Sequence, residues 1–380
     1  MMSDLLTIQT SLYLLHIALA FCFMIGRGLP FVTLLLWIFQ ASLRNRNFGI
    51  SDGGDDLSVI LLFISIFLPM TEAENKNENL FTRIWNALWS LVFVVQLLSM
   101  YFFSGLKKSD LSWTNSFTAS ELALRLDNMT SSFGHFLLQF PSLLKFSTAL
   151  VVGLERIGPI VFLACYFVPL PISSRIKKLL CILFMLFHVA ILATFRLWAF
   201  PLICISAWVA LFPSQTDATT SDHLAPRTGK AFYPFLVVPL VILLTIFDWN
   251  LLDVQPGFIL SEGIRAVGQQ LSLWQNWGMF APFPTLNNQH LSIIGTKADG
   301  SEKDLFDESK WRENRHRVKY LVNISTMDNL YIGGLARYYC RQNPDITQLR
   351  IETHNSIINK ASFVVNNEER TLWTQDCVSK

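Results

Sequence analysis

The run IWNALWSLVFVVQLLSMYFF, Ile84–Phe103, contains no Asp, Glu, Lys or Arg. As a helix it is long enough to cross the hydrocarbon of a bilayer, which takes roughly 20 mostly apolar residues because no water is present there to satisfy stray backbone groups. Phe146–Val168, Leu179–Phe212 and Phe232–Phe247 are runs of the same kind. Leu179–Phe212 has length for two segments, with Pro201 as the expected break, since a proline removes a backbone donor. Leu12–Phe39 is interrupted by Gly26-Arg27-Gly28-Leu29-Pro30 and reads as one span followed by a short half-helix. Leu57–Met70 is short for a span and reads as starting within the headgroup region. The sum is an all-α polytopic membrane helix bundle of about six to eight membrane segments. The start, Met1-Met2-Ser3-Asp4, lacks a basic region and no small-residue cleavage site follows, so the first segment is expected to stay on the protein.

Composition agrees with this reading. Of the 380 residues, 52% are hydrophobic and only 15% charged, against about 25% charged in soluble domains. A formal net charge of +2 gives no electrostatic case for nucleic acid as a partner. Membrane lipids are the expected partners. The chain has no P-loop, GxGxxG, HExxH or GxSxG string, so phosphoryl transfer, dinucleotide binding and zinc hydrolysis are poor fits. Cys22, Cys165, Cys181 and Cys204 lie in apolar segments and read as packing, and no Cys/His metal spacing occurs, so no metal is predicted. Whether Cys340 and Cys377 pair is left open.

Three regions follow. Residues 1–250 form the transmembrane domain, with polar insertions at Ser104–Gln139 and Pro213–Lys230. Residues 251–285 are an aromatic connector at the membrane interface. Residues 286–380 read as a small C-terminal α+β cap. There, His290–Thr296 alternates apolar and polar residues as a half-buried strand does. Asp299-Gly300 is a hairpin turn signal, and Asp304-Leu305-Phe306 would begin the return strand. Trp311–Asn323 and Leu330–Arg341 have helical spacing, and Ile346–Ile358 reads as a strand. The loop holding Arg175, Lys177 and Lys178 is assigned to the cytoplasm by the positive-inside rule, with Lys107-Lys108 on the other side.

Polar groups at membrane depth are costly and point to function by default. Lys107 and Lys108 end an apolar helix. They read as interfacial anchors with snorkelling amines, or as a base, Lys108, whose proton affinity is reduced by burial and by its cationic neighbour. Glu155 and Arg156 are adjacent and point about 100° apart on a helix, so each needs a partner elsewhere, either structural or in a site. His188 and Arg196 are eight residues apart and would share one helix face turned to a common interior with Glu155. The string Trp274–Pro284, containing Trp277, Met279 and Phe280, reads as an interfacial aromatic belt or as the wall of a pocket for an apolar ring. Trp113 reads as a loop anchor that Phe would replace without loss.

Taken in order, these segments resemble the vitamin K-dependent γ-carboxylase-like family, which includes the bacterial horizontally transferred transmembrane domain proteins. Tyr101–Trp113 resembles the carboxylase segment with a Tyr-Phe, a Gly, a Lys pair, an Asp and a Trp. Phe187-His188 with Phe195 and Phe200 resembles a later membrane helix. Trp277, Met279, His290, Asp299-Gly300, Trp311, Lys319-Tyr320 and Cys340 follow the order of the region beyond it. Trp277–Pro284 is closest to the bacterial branch.

The resemblance implies an integral membrane carboxylase (a lyase) in the bacterial cytoplasmic (inner) membrane. It implies reduced vitamin K or a related quinol as cofactor, O2 and CO2 as co-substrates, and a peptide or protein glutamate as substrate. It assigns Lys108 as the base and Lys107 as a tuning charge. Trp113, Glu155, Arg156, His188, Arg196, Trp277, Met279 and Phe280 are the candidate quinone- and substrate-binding residues. Asp55-Asp56 stand where the family carries a functional His. The alternatives are a membrane factor for maturation or export of a secreted peptide, and a non-catalytic quinone- or lipid-binding membrane protein.

Overall fold

The structure is a computed structural model, and it describes residues 6–46, 50–68, 80–168, 170–197, 199–213, 233–251, 262–307, 320, 323 and 332–377. It is mostly helical, with a small antiparallel sheet near the C-terminus. Among the described residues four helices are long and apolar enough to cross a membrane: α1 (Leu6–Met24), α4 (Leu80–Lys107), α8 (Pro141–Phe167) and α9 (Ser173–Thr194). Around them run α2 (Leu29–Arg46), α3 (Gly53–Ser65), α10 (Ala199–Ala210), α11 (Tyr233–Leu251) and α12 (Glu262–Gln270).

The expected half-helix after Pro30 is instead the full helix α2. Gly26 (φ +72°) and Gly28 (φ +63°) reverse the chain in the left-handed region, and Pro30, in the first turn, lacks only a donor that no helix would use there. Within Leu179–Phe212 the first helix ends at Thr194, and Pro201 sits inside the first turn of α10. α3 begins on a reciprocal cap: Asp52 accepts from the N–H groups of Gly54 and Asp55, and Asp55 accepts from the N–H of Asp52.

The polar insertion 104–139 folds into three short helices, α5 (Leu111–Thr114), α6 (Ala119–Leu124) and α7 (Ser132–Leu137). It closes one end of the bundle. Ser131 donates its hydroxyl to Ala193 O and its N–H to Thr194 O, satisfying carbonyls that the end of α9 leaves open. The starts of α8 and α10 and the ends of α4 and α9 share this end, while Arg175, Lys177 and Lys178 lie at the opposite end of α9.

Burial along the long helices follows the helical period with polarity reversed. On α8, Leu144, Thr148, Val152, Glu155, Pro159 and Phe162 are buried, while Leu143, Phe146, Leu150, Ile157 and Ile160 are exposed. α9 buries His188 and exposes Leu179, Ile182, Leu186 and Val189. A carboxylate inside and a wall of Leu, Ile and Phe outside is the opposite of what water selects.

The C-terminal sheet has the order β2-β1-β3-β4, built from β1 (Asn287–Lys297), β2 (Glu302–Asp304), β3 (Ile346–Ile358) and β4 (Val365–Asp376). Ile293 pairs with Ile351, which pairs in turn with Trp373. Helix α13 (Ile332–Gln342) packs its Ile332, Leu335, Ala336 and Tyr339 onto that apolar face. Gly300 takes φ +82° in the β1–β2 turn. The return strand starts earlier than expected and stops at Asp304, because Asp304 caps the N–H of Phe306 and turns that ring into the core. A disulfide joins Cys340 on α13 to Cys377 after β4. Of the basic stretch Trp311–Asn323, only Tyr320 and Asn323 lie among the described residues.

Candidate functional site

Tyr101, Ser104 and Lys108 recur at helical spacing on one face of α4 and its C-terminal extension, and all three are buried. This face meets α8 and α9. Lys108 Nζ lies 2.6 Å from Glu155 Oε2 and donates to Ser104 Oγ at 2.7 Å. Ser104 Oγ donates to the other carboxylate oxygen at 3.4 Å. Lys108 is 2% exposed and Glu155 1%. Close helix approach makes the pair possible: a Cβ on Gly105 would lie 2.9 Å from Glu155 Cβ and 3.1 Å from the main-chain N of Arg156. Arg156 turns the other way and ties off the end of α4, with Nε donating to Gly105 O and Nη2 to Lys108 O, each at 2.8 Å.

Lys107 does not face Lys108. Its amine donates to Asn276 Oδ1 in the connector, so the expected tuning by the neighbouring lysine is replaced by a carboxylate in contact and the guanidinium of Arg156 nearby. Burial disfavours the separate charges of Lys108 and Glu155, and their contact favours them. The two effects oppose each other in one short hydrogen bond.

Trp113 is a core residue rather than an interfacial anchor. It is 3% exposed and packs with Ala119, Val152 and Phe280, and its ring centroid lies 5.0 Å from Lys108 Nζ. Its indole Nε1 and the hydroxyl of the adjacent Ser112 are buried with no hydrogen-bond partner among the described residues. Asp110 fixes their short helix, accepting from Ser112 N and from Lys360 Nζ, both at 2.9 Å. Burial opposes ionisation of Asp110, but the hydrogen bonds from Ser112 and Lys360 outweigh it and hold its carboxyl below the ordinary range.

One turn deeper, Trp208 Nε1 donates to Tyr101 Oη at 2.8 Å, and Tyr101 Oη lies 2.6 Å from His188 Nε2. An indole N–H can only donate, so the phenol proton is free to point at His188, whose Nδ1 then carries the imidazole proton. That Nδ1 is buried without a partner among the described residues. Arg196 does not share this interior. Phe195 is the extended C-cap of α9 and pairs with Thr130 in an isolated bridge. Arg196 therefore lies beyond the helix and is exposed.

The connector covers the site. Trp277, for which the sequence leaves a belt or a pocket wall open, is 3% exposed and belongs to the bundle core. Its N–H donates to Asn250 Oδ1 and its indole to Gln275 Oε1, which is paired with Gln96 of α4. Met279 packs on the same core, and Phe280 packs on Trp113 with its ring 5.6 Å from that of Phe195. Met279 (φ 26°) and Phe280 (φ 65°) both sit in the left-handed region, which costs a residue with a side chain about 1–3 kcal/mol.

Of the ten residues singled out in the sequence, Lys108, Glu155, Arg156, Trp113 and Phe280 come together in one cluster. Lys107 lies at its rim, His188 one turn below, Trp277 and Met279 in the adjoining core, and Arg196 outside. Sequence reasoning missed Ser104, Ser112 and Trp208; the spacing of Tyr101, Ser104 and Lys108 could have found the first. Among the described residues no group of three His, Cys, Asp or Glu side chains is arranged to hold a metal ion. No family model, curated protein or solved structure matches the chain.

Proposed function

We propose that this chain is a multi-pass membrane enzyme in which Lys108, paired with Glu155, deprotonates a bound hydroquinone, as in the vitamin K-dependent carboxylases it resembles. The observation that carries this reading is a lysine and a glutamate in contact at 2.6 Å, both nearly solvent-free, beneath an aromatic cover. With the shared proton on Glu155, Lys108 presents a neutral amine. That amine accepts the hydroxyl proton, and the ammonium so formed stays beside the oxygen anion it created. The residues fit an aromatic diol: Trp113 and Phe280 supply apolar faces, and the buried donors on Ser112 and Trp113 lack acceptors among the described residues. When bound, the hydroquinone supplies the electrons that reduce O2 and the base strength that removes a glutamate γ-proton before CO2 adds.

The reversed polarity of α8 and α9 supports a bundle that crosses the bilayer, with α1, α2, α3, α4, α8, α9, α10 and α11 as its membrane segments. Two observations support one orientation. The Cys340–Cys377 disulfide suits an oxidising compartment, and the basic start of α9 at the far end suits the cytoplasm. Lys108 and the cap then face the outside of a bacterial inner membrane.

The test is oxygen-dependent oxidation of a naphthohydroquinone by the solubilised protein. Lys108→Ala should abolish it in the fraction of protein that folds, and Lys108→Arg should fail too, because a guanidinium does not give up its proton. Full activity in Lys108→Ala rules the mechanism out. One observation favours a second reading, maturation or export of a secreted peptide. Where the family carries its His, Asp56 is bound to Arg44 at 2.6 Å as a structural clamp between α2 and α3.

A further inference from the structure

We propose that the cleft between α3, α4, α8 and α10, at the end of the bundle opposite Lys108, holds an anionic phospholipid whose phosphate is met by Lys177. This inference rests on the membrane reading above and is independent of the hydroquinone chemistry. The cleft has a volume of about 1120 Å³. Sites for drug-sized ligands take about 300–1,000 Å³, so this one suits a larger molecule. Leu61 of α3, Phe93 of α4 and Phe162 of α8 line it and are buried, whereas Leu202 and Phe212 of α10 line it and are exposed. It therefore runs from the core to the outer face of the bundle, and a lipid can enter it sideways from the bilayer.

One cation lines this apolar space. Lys177 lies four residues before Cys181, which forms the buried stripe of α9 with Phe184 and His188. It therefore shares the inward face, not the outward one from which a lysine anchors a helix at the interface. Side chains lean toward the N-terminus of their helix, so the amine is carried toward the headgroup level. No hydrogen bond or ion pair engages that amine among the described residues. The stretches that build the cleft, 58–68, 90–94, 162–168, 173–181 and 202–213, contain no Asp or Glu. Arg175 and Lys178 add two more positive charges at the start of α9.

An apolar cleft with a positive charge and no internal counter-ion complements an amphiphile with an anionic head. A neutral quinone offers Lys177 no charge. In a zwitterionic lipid the headgroup's own cation competes for the phosphate. Basic pockets between membrane helices on the cytoplasmic side are where anionic headgroups bind, and the start of α9 is the end assigned to the cytoplasm. A lipid seated here ties α10 to α3, α4 and α8, and stabilises the bundle by mass action.

The experiment follows thermal unfolding of the full chain in detergent as phosphatidylglycerol, or phosphatidylcholine with the same acyl chains, is added. Phosphatidylglycerol should raise the melting temperature to a plateau, and phosphatidylcholine should not. Inorganic phosphate should not substitute, because it has no chains to fill the cleft. Lys177→Gln should need about fivefold more phosphatidylglycerol for half the effect. Ser206→Trp, which places a ring in the cleft from an exposed position, should abolish the effect. Lys145→Gln removes an exposed cation at the Lys108 end and should behave as wild type. In the wild type, phosphatidylglycerol with a photoreactive acyl chain should cross-link to 202–213 in preference to the outer faces of α1 and α9.

Equal shifts from the two lipids, a shift from phosphate alone, an equal loss in Lys145→Gln, or cross-links spread evenly over the long helices overturn the proposal and leave the membrane reading standing. Helices that take no cross-link from the lipid overturn both. If Lys177→Gln or Ser206→Trp does not fold, the lipid comparison and the cross-link map of the wild type decide the matter.

Discussion

Changing Lys108 to Met, Glu155 to Leu, and then both together isolates what the buried pair does for the fold. Each substitution keeps approximate volume and removes one charge. The remaining partner is left almost solvent-free, at 1–2% exposure, without its 2.6 Å contact. Stranding one member of a buried ion pair costs about 3–5 kcal/mol, so each single variant should lose that much. Independent effects would add to about 6–10 kcal/mol in the double variant. The pair predicts otherwise. With both charges gone, only Ser104 loses hydrogen-bond partners, and its hydroxyl can turn to the carbonyl one turn back on α4. The double variant should lie near wild type, or up to about 4 kcal/mol above it. Reversible unfolding in mixed micelles, followed by the near-ultraviolet signal of the aromatic core, measures all four proteins. A double variant as unstable as the sum of the singles would refute the reasoning. All three variants should fail to oxidise hydroquinone, so stability and activity separate in the double variant.

Three further outcomes follow from the geometry. Gly105→Ala brings a methyl to 2.9 Å from Glu155 Cβ and 3.1 Å from a backbone nitrogen. Overpacking of this kind costs about 1–3 kcal/mol, so the melting temperature should fall, and an unchanged melt counts against the close α4–α8 approach. Asp110 is held below the ordinary carboxyl range, with Lys360 as one of its partners. A depressed folded-state value means that this contact stabilises above the ordinary pKa and is lost as pH falls through the lowered one. The protection factor against hydrogen exchange at residues 359–364 should therefore be steady from about pH 7 to 5 and fall below about pH 4, a dependence that Asp110→Asn removes. A cysteine replacing Val364, which is 57% exposed, should react with an impermeant maleimide added outside cells. One replacing Ala190 on the outer face of α9 should not, since only lipid hides it; labelling there would overturn the span.

The long elements were legible because one interaction sets each of them. Apolar length alone marks α4, α8 and α9, and alternation over part of each strand marks β1 and β3. β4 was not legible: Val365–Asp376 reads Val-Asn-Asn-Glu-Glu-Arg-Thr-Leu-Trp-Thr-Gln-Asp, an exposed edge strand with little apolar alternation for a pattern to catch. Lys108 could be singled out, but its partner could not, because Glu155 arrives from 47 residues away and only the missing Cβ of Gly105 lets α8 come so close. The error over Arg196 has a similar origin. The spacing of eight assumes a continuous helix, and α9 is ended by Ser131, a residue of a distant loop. The aromatic string reads as an interfacial belt or as a pocket wall because composition cannot tell a belt from a plug. Trp277 is drawn inward by Asn250, which accepts its main-chain N–H, and by Gln275, which accepts its indole N–H.

That plug has a consequence for how the molecule is made. Gln96 emerges from the ribosome early, on α4, with a polar amide that hydrocarbon does not tolerate and whose partner, Gln275, is 179 residues further along. Asn250, at the end of α11, waits in the same way for the backbone of Trp277. Until residue 277 has been synthesised, these amides must be met by lipid headgroups, water or the insertion machinery. On the proposed membrane reading, assembly of the helices is a step that follows translation of the connector rather than one that proceeds span by span. A chain halted just after α11 should be retained by the insertion apparatus and degraded, whereas one extended through Trp277 should be released.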